Sequence, residues 1–304
     1  MTPLHLLNPL PAETIHLPFE AGPYRMAMGL VAVPEPEWFE IDTLYPAEIA
    51  ERQRLLATRH ADVFGAEPDS EQARDETLTM VVEHLTRVHH DWFARDGTTI
   101  HNRLTGERWD IPAHDPLELA GRLVQEDLCL IEASPDGPRL TAAVLCFPSR
   151  WRLHEKLGRP LAEVHEKVPF YGDRLARPVD RFMGHVRVGH VAARLNWSML
   201  DDPSLFQPAG KWRTAHDTSI TPHNAGDRLF LRVERQTVRR LPASGAVLFG
   251  IRVHVYPLGL GVTTPETAGR LAAAVRALPP ETAHYKSLPM FQAALLAWLD
   301  RHAA

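Results

Sequence analysis

The 304 residues carry 33 basic and 38 acidic side chains for a formal net charge of −5, and 44% of them are hydrophobic. That balance suits a water-soluble globular chain, and its negative sign argues against general nucleic-acid binding, which needs a basic footprint. No apolar run is long enough to span a membrane, and MTPLHLLNPLPAETIHLPF lacks a basic region followed by an apolar block. A cytoplasmic protein without a membrane partner is therefore expected. Two cysteines, Cys129 and Cys146, cannot build a disulfide framework or a Cys-rich metal site. Only Lys156, Lys167, Lys211 and Lys286 among the basic residues are lysine, so arginine abundance by itself marks no site.

From Tyr24 the chain reads as a strand or loop and then two helices. PAEIAERQRLLATRHADVF opens with Pro46 at a first-turn position and spaces Ile49, Leu55, Leu56 and Val63 along one side. SEQARDETLTMVVEHLTRVHHDWF follows, acidic early and basic late, in the sense that suits the helix dipole. Residues 99–113 read as a hairpin turning near Thr105-Gly106, followed by a helix in DPLELAGRLVQED. DLCLIEA and RLTAAVLCF flank SPDGP, whose Asp136-Gly137 is a strong hairpin turn. A helical insertion from Trp151 to about Met183 then precedes three strands: HVAARLNWSML, DRLFLRVERQTVRRL and GAVLFGIRVHVYPL. The last two are joined by Pro242-Ala-Ser-Gly245, and two helices, ETAGRLAAAVRAL and PMFQAALLAWLD, end the chain.

The order hairpin, helical insertion, three antiparallel strands predicts an α+β fold: a PAS-like five-stranded antiparallel sheet with a helical layer and added N- and C-terminal helices. It is expected as one elaborated domain. Residues 1–113 would form a helical and hairpin extension, 114–260 the core and 261–304 the C-terminal helices.

The period of two along the strands assigns their faces. Arg194, Asn196 and Ser198 share one face of their strand, opposite Leu195 and Trp197. Guanidinium and amide donors in that position suit a bound oxygen species, and suit an ordinary hydrogen-bond network equally well. Arg235 and Arg239 continue the apolar stripe of Leu229, Leu231 and Val233 and so demand partners. Carboxylates of a ligand would serve, as would an internal salt bridge to Glu132, Glu234 or a helix acid. Arg252, His254 and Tyr256 form the polar face of the last strand, a face for the added helices to cover.

His165, near the end of a short helical stretch closed by Pro169, is the leading metal-ligand candidate. It could equally be a helix-end histidine bonded to a backbone carbonyl. Cys146 competes as a thiolate ligand, and His89-His90 is a weaker possibility, since adjacent helical residues point apart. No nucleophile elbow, zinc-protease motif, P-loop or dinucleotide fingerprint occurs, and no Cys quartet for an iron–sulfur cluster.

Several long stretches resemble the α-subunit family of haem-dependent oxidative N-demethylases, of the dimethylamine mono-oxygenase type. They are YRMAMGL at 24–30, WFEIDTLYPAEIAERQRLL at 38–56, LCFPSRWRLHEKLGRPLAEVHEKVP at 145–169 and RLNWSMLDDPSLFQP at 194–208. RVERQTVRRLP, FGIRVHVYPL and ALPPETAHYK, at 232–242, 249–258 and 277–286, continue the resemblance over nearly the whole chain. It implies a PAS-like domain that binds b-type haem and oxidises a small secondary amine with oxygen. Electrons would come from NADPH through partner subunits carrying FMN and a 2Fe-2S cluster, and formaldehyde would pass to a tetrahydrofolate-binding partner. His165 lies in the matching stretch and would be the iron ligand. Arg194, Asn196 and Arg235 are the catalytic candidates, and Trp197 and Arg239 join His165 as cofactor-binding candidates. Glu234 and Trp197 would receive a cationic substrate. A haem-binding sensor or carrier without turnover, or a diverged member lacking haem, remains open beside this reading.

Overall fold

The computed structural model describes residues 8–304. Residues 1–7, the start of the stretch read above for an export signal, lie outside the described residues. Among the described residues ten strands are formed: β1 (Val31–Val33), β2 (Phe64–Ala66), β3 (Phe93–Asp96), β4 (Thr99–Asn102), β5 (Glu107–Asp110), β6 (Asp127–Glu132), β7 (Arg139–Val144), β8 (Val191–Leu200), β9 (Phe230–Arg240) and β10 (Val247–Pro257). Seven of them build one antiparallel sheet in the order β1-β8-β9-β10-β6-β7-β2, and β3-β4-β5 make a small separate sheet.

The five strands read from the alternation are the inner five of the main sheet, but the expected five-stranded sheet is corrected to seven. Each edge carries a three-residue strand, β1 on β8 and β2 on β7. Segments of that length pair through their backbones and are too short to display a period. β3, likewise missed, precedes the expected β4–β5 hairpin.

The long helices form where their caps and periodicity place them, at Tyr45–Thr58, Glu71–Val88, Pro116–Leu123, Pro265–Arg276 and Gln292–Ala303. Asp115 accepts hydrogen bonds from the amides of Leu117 and Glu118, and Thr264 accepts one from Thr267, with proline in the first turn of both helices. The insertion at 151–183 breaks into short pieces, including Leu161–Val164, Tyr171–Arg174 and Ala176–His185. Gly158 takes a left-handed backbone, and Pro160 and Pro169 interrupt the backbone hydrogen-bond pattern, so no long helix can run through. Among the described residues, no helix is long and apolar enough to cross a membrane.

The N-terminal layer covers one face of the sheet through buried charge. Arg252 of β10, fully buried, donates to Asp42 at 2.8 Å and to Glu48 at 2.7 Å. Gln125 bonds to both of those carboxylates and so ties the helix carrying Glu48 to the sheet. Arg52 pairs with Asp127 at 2.8 Å, and Asp127 in turn accepts the amide protons of Cys146 and Phe147.

Arg235 and Arg239 belong to this same face. Arg235 donates to the carbonyls of Glu37 and Trp38 and lies 3.3 Å from Glu40. Arg239 pairs with Glu35 at 3.2 Å and stacks over Trp38. The salt-bridge alternative therefore describes both, with Glu35 and Glu40 as the acids in place of Glu132 or Glu234. Neither Arg235, expected as catalytic, nor Arg239, expected as cofactor-binding, is among the residues that line the cavity described below; both are engaged within the protein layer.

Breaking a buried ion pair from one side leaves an uncompensated charge. Arg252→Ala should lose about 3–5 kcal/mol of stability in urea unfolding. A loss below about 1 kcal/mol would mean that Asp42 and Glu48 are not held by this guanidinium.

Candidate functional site

The opposite face of the sheet floors a cavity of about 870 Å³, within the range of cofactor sites. Arg194 and Asn196 of β8, Glu234 and Gln236 of β9 and Phe249 of β10 form its floor. These residues share a face by register: Arg194 stands opposite Gln236, Asn196 opposite Glu234, and Phe249 opposite Val238. The broken insertion supplies one wall with Val164, His165, Val168 and Tyr171, and Pro18–Met28 crosses as a strap that forms another. Tyr285 and Lys286 close the C-terminal side.

His165 stands just past the short helix Leu161–Val164. Its Nδ1 is 2.9 Å from the Leu161 carbonyl oxygen, a pairing that requires the ring proton on Nδ1 and leaves the lone pair on Nε2. Burial, reinforced by the positive charges of Lys156, Arg194 and Lys211, depresses its pKa to about 4. The imidazole is therefore neutral at physiological pH, the form that binds metal. Both readings of this histidine coexist: Nδ1 satisfies the helix carbonyl while Nε2 is unclaimed. Tyr171 stacks on the ring with centroids 4.5 Å apart and fixes its plane.

The polar residues of the floor are unevenly satisfied. Asn196 and Gln236 both donate to the same Glu234 oxygen, at 3.3 and 2.9 Å. Arg194 has no hydrogen-bond or ion-pair partner among the described residues, and burial lowers its pKa. The Tyr171 hydroxyl and Thr282 Oγ1, both in the lining, are buried with no partner.

Lys156, Lys211 and Lys286 also line the cavity, so three of the four lysines in an arginine-rich chain meet here. Burial lowers them to about 8, 7 and 8. Lys156 donates to the Val164 carbonyl, and Lys286 to that of Trp197 while resting over its indole. Glu234 offsets the charge of Lys211 and Lys286, and Glu155 that of Lys156. None of the three lysines has an ion-pair partner among the described residues, so the cavity holds an excess of positive charge that an anionic ligand would neutralise. The rarity of lysine elsewhere was the signal that sequence reading left unused. Trp197, expected as a cofactor- and substrate-binding residue, lines the cavity and already carries the Lys286 ammonium over its indole.

Backbone strain gathers at the same place. The four non-glycine residues with positive φ among the described residues are Arg150, Phe170, Trp212 and Ser287. Arg150 lines the cavity, and the others directly adjoin Tyr171, Lys211 and Lys286. Each costs about 1–3 kcal/mol and persists where surrounding structure imposes it, commonly at ligand sites.

The rival ligands fall away from the cavity. Cys146 is fully buried on the Asp127 side, and burial pushes its thiol up to about 12. His89 stacks on Trp92 beside His84, and His90 is exposed.

A neutral histidine with a free Nε2, inside a cavity that mixes cationic, polar and apolar walls, matches what comparison with known families finds. A model described as haem-dependent oxidative N-demethylase, alpha subunit-like, matches residues 29–296. The chain belongs to that family. Its family's defining cofactor and the cavity agree in kind: haem requires an axial side chain, apolar walls and counter-charges for two carboxylates. His165, Phe249 and the three lysines supply these in one place.

Unfolded, the lysines keep their protons up to about 10.5; folded, they release them near 7 to 8. The unfolded chain binds more protons across that interval, so ligand-free protein should gain stability as pH rises from about 7 toward 10. Lys211→Met should raise the melting temperature of ligand-free protein at pH 7 and flatten that rise. A lower melting temperature would show that Lys211 is not held against an unfavourable burial.

Proposed function

We propose that this chain is the haem-bearing subunit of an oxidative N-demethylase that acts on a small secondary amine of the dimethylamine type. The single observation that carries the reading is His165: a half-buried, neutral imidazole with its tautomer fixed and Nε2 free, in a cavity that the family's cofactor fits. The fold is read as PAS-like in its inner sheet, whose strand order β8-β9-β10-β6-β7 is supported by the pairing.

His165 would hold the iron of a b-type haem through Nε2. Its Nδ1–H, given to the Leu161 carbonyl, orients the ring as an outer-shell partner orients a metal-binding imidazole. Lys156, Lys211 and Lys286 would face the propionates, whose charge would restore full protonation of the lysines. When bound, the haem supplies a redox centre at which dioxygen is activated. Arg194 and Asn196 project from one strand face as fixed donors, placed to stabilise negative charge developing on oxygen. Glu234, steadied at one oxygen by Asn196 and Gln236, keeps its other oxygen for the ammonium of a small amine. The insertion wall and the strap would narrow the access of bulk water to the reacting groups.

The family's description as an alpha subunit supports the existence of further subunits. Electrons are proposed to reach this chain from NADPH through FMN and a 2Fe-2S cluster on reductase partners. Formaldehyde released by demethylation would pass to a tetrahydrofolate-binding subunit.

Protein purified from cells supplied with haem precursor should carry about one haem per chain, and His165→Ala should lose it while remaining folded by circular dichroism. With a supplied reductase, the wild-type protein should release formaldehyde from dimethylamine over many turnovers. Haem retained with an unchanged spectrum in His165→Ala would remove this ligand. Haem binding without turnover on any small secondary amine would favour the sensor or carrier reading.

A further inference from the structure

On the face of the sheet away from the cavity, His16, Glu40 and His254 bring one donor atom each to within 4.8 Å of one another. We infer that these three side chains form a binding site for a first-row divalent cation of the zinc type, which clamps the N-terminal strap to the sheet. His16 Nε2 lies 3.3 Å from one Glu40 oxygen, and His254 Nε2 lies 3.0 Å from the other. Tetrahedral zinc with bonds of about 2.0–2.1 Å sets its ligands roughly 3.3 Å apart, so small side-chain shifts close the set.

Two further observations point to an ion. His16 Nε2 is buried and has no hydrogen-bond partner despite its nearness to Glu40. That nitrogen, the Glu40 carboxylate and the His254 imidazole converge as a donor set of two imidazoles and one carboxylate. The supporting contacts are also those of a metal site. His254 Nδ1 is 3.0 Å from Glu13, the carboxylate–histidine pairing that directs Nε2 at a metal. Arg235 lies 3.3 Å from Glu40 and steadies its carboxylate.

The charges permit a dication. His254 is shared between Glu13 and Glu40, so a dication would take the place of one of its ring protons; Arg235 is the neighbouring cation, while Arg252 is already matched by Asp42 and Glu48. Glu126, whose Oε1 accepts the Glu40 amide, adds a further acid close by. Two imidazoles and a carboxylate favour zinc, cobalt, iron or copper over magnesium or calcium. His254 sits on a central strand and is almost fully buried, whereas His16 comes from the strap just ahead of Pro18–Met28. Tyr256 already pins the strap by donating to the Thr14 carbonyl. A bound ion would add a tie at His16 to those that Thr14 and Glu13 already make, two residues before the cavity wall begins.

The test uses full-length protein stripped with chelator and titrated with Co²⁺, whose visible bands report its coordination. One equivalent per chain should bind with the intense bands of a tetrahedral or five-coordinate site, and Zn²⁺ should displace it. His16→Ala, which leaves the buried His254 in place, should weaken binding at least tenfold. Glu13→Gln should weaken it about 10- to 100-fold. His165→Ala should leave it unchanged, which separates this site from the haem cavity. Metal should also slow tryptic cleavage at the exposed Arg25 of the strap. Absence of a bound equivalent, or equal binding in wild type and His16→Ala, would overturn the proposal.

Discussion

The structure depends on a difference between the two faces of one sheet. On the far face, Arg235, Arg239 and Arg252 each find carboxylates or carbonyls in the segment from Glu35 to Glu48. On the near face, Arg194, Lys156, Lys211 and Lys286 have no ion-pair partner among the described residues. Buried charge that is paired fastens layers together; buried charge that is unpaired costs stability and waits for a ligand. The same residue types thus build the scaffold on one side and the site on the other.

This contrast explains what was legible in the sequence. Strand alternation placed Arg194 with Asn196 and Arg235 with Arg239 on the correct faces, because a period of two is local. Alternation cannot say which layer covers a face. The acids that meet Arg235 and Arg239 come from residues some two hundred positions earlier, in a short irregular segment with no pattern of its own. The edge strands β1 and β2 escaped for a similar reason, being three-residue pairings. The proline-bounded helical turn singled out His165, which lines the cavity; its role as a ligand rests on the family resemblance and is a proposal. Its neutral state, which makes it a usable ligand, arises from burial and from distant cations and had no local mark.

Function and stability oppose one another at the cavity. Three lysines held below their normal protonation, an unpartnered guanidinium, and left-handed residues at Phe170, Trp212 and Ser287 all burden the ligand-free fold. The large apolar clusters beside the cavity, which join the N-terminal helices to the sheet and the C-terminal helices to β9, offset that burden. A dianionic macrocycle would relieve most of it on binding, which links cofactor loading to the order of the cavity wall. The strap Pro18–Met28 is the part of that wall with the least secondary structure, and its anchors at Tyr256 and His254 lie on the opposite face.

The central claim is that His165 presents Nε2 to iron inside this cavity. The most direct measurement is the iron position, from anomalous scattering in crystals of protein purified with its haem. Iron within bonding distance of His165 Nε2, with the propionates turned toward Lys156, Lys211 or Lys286, is the expected result. Iron held by any other side chain, or lying outside the cavity floored by Arg194, Asn196 and Glu234, would contradict the account.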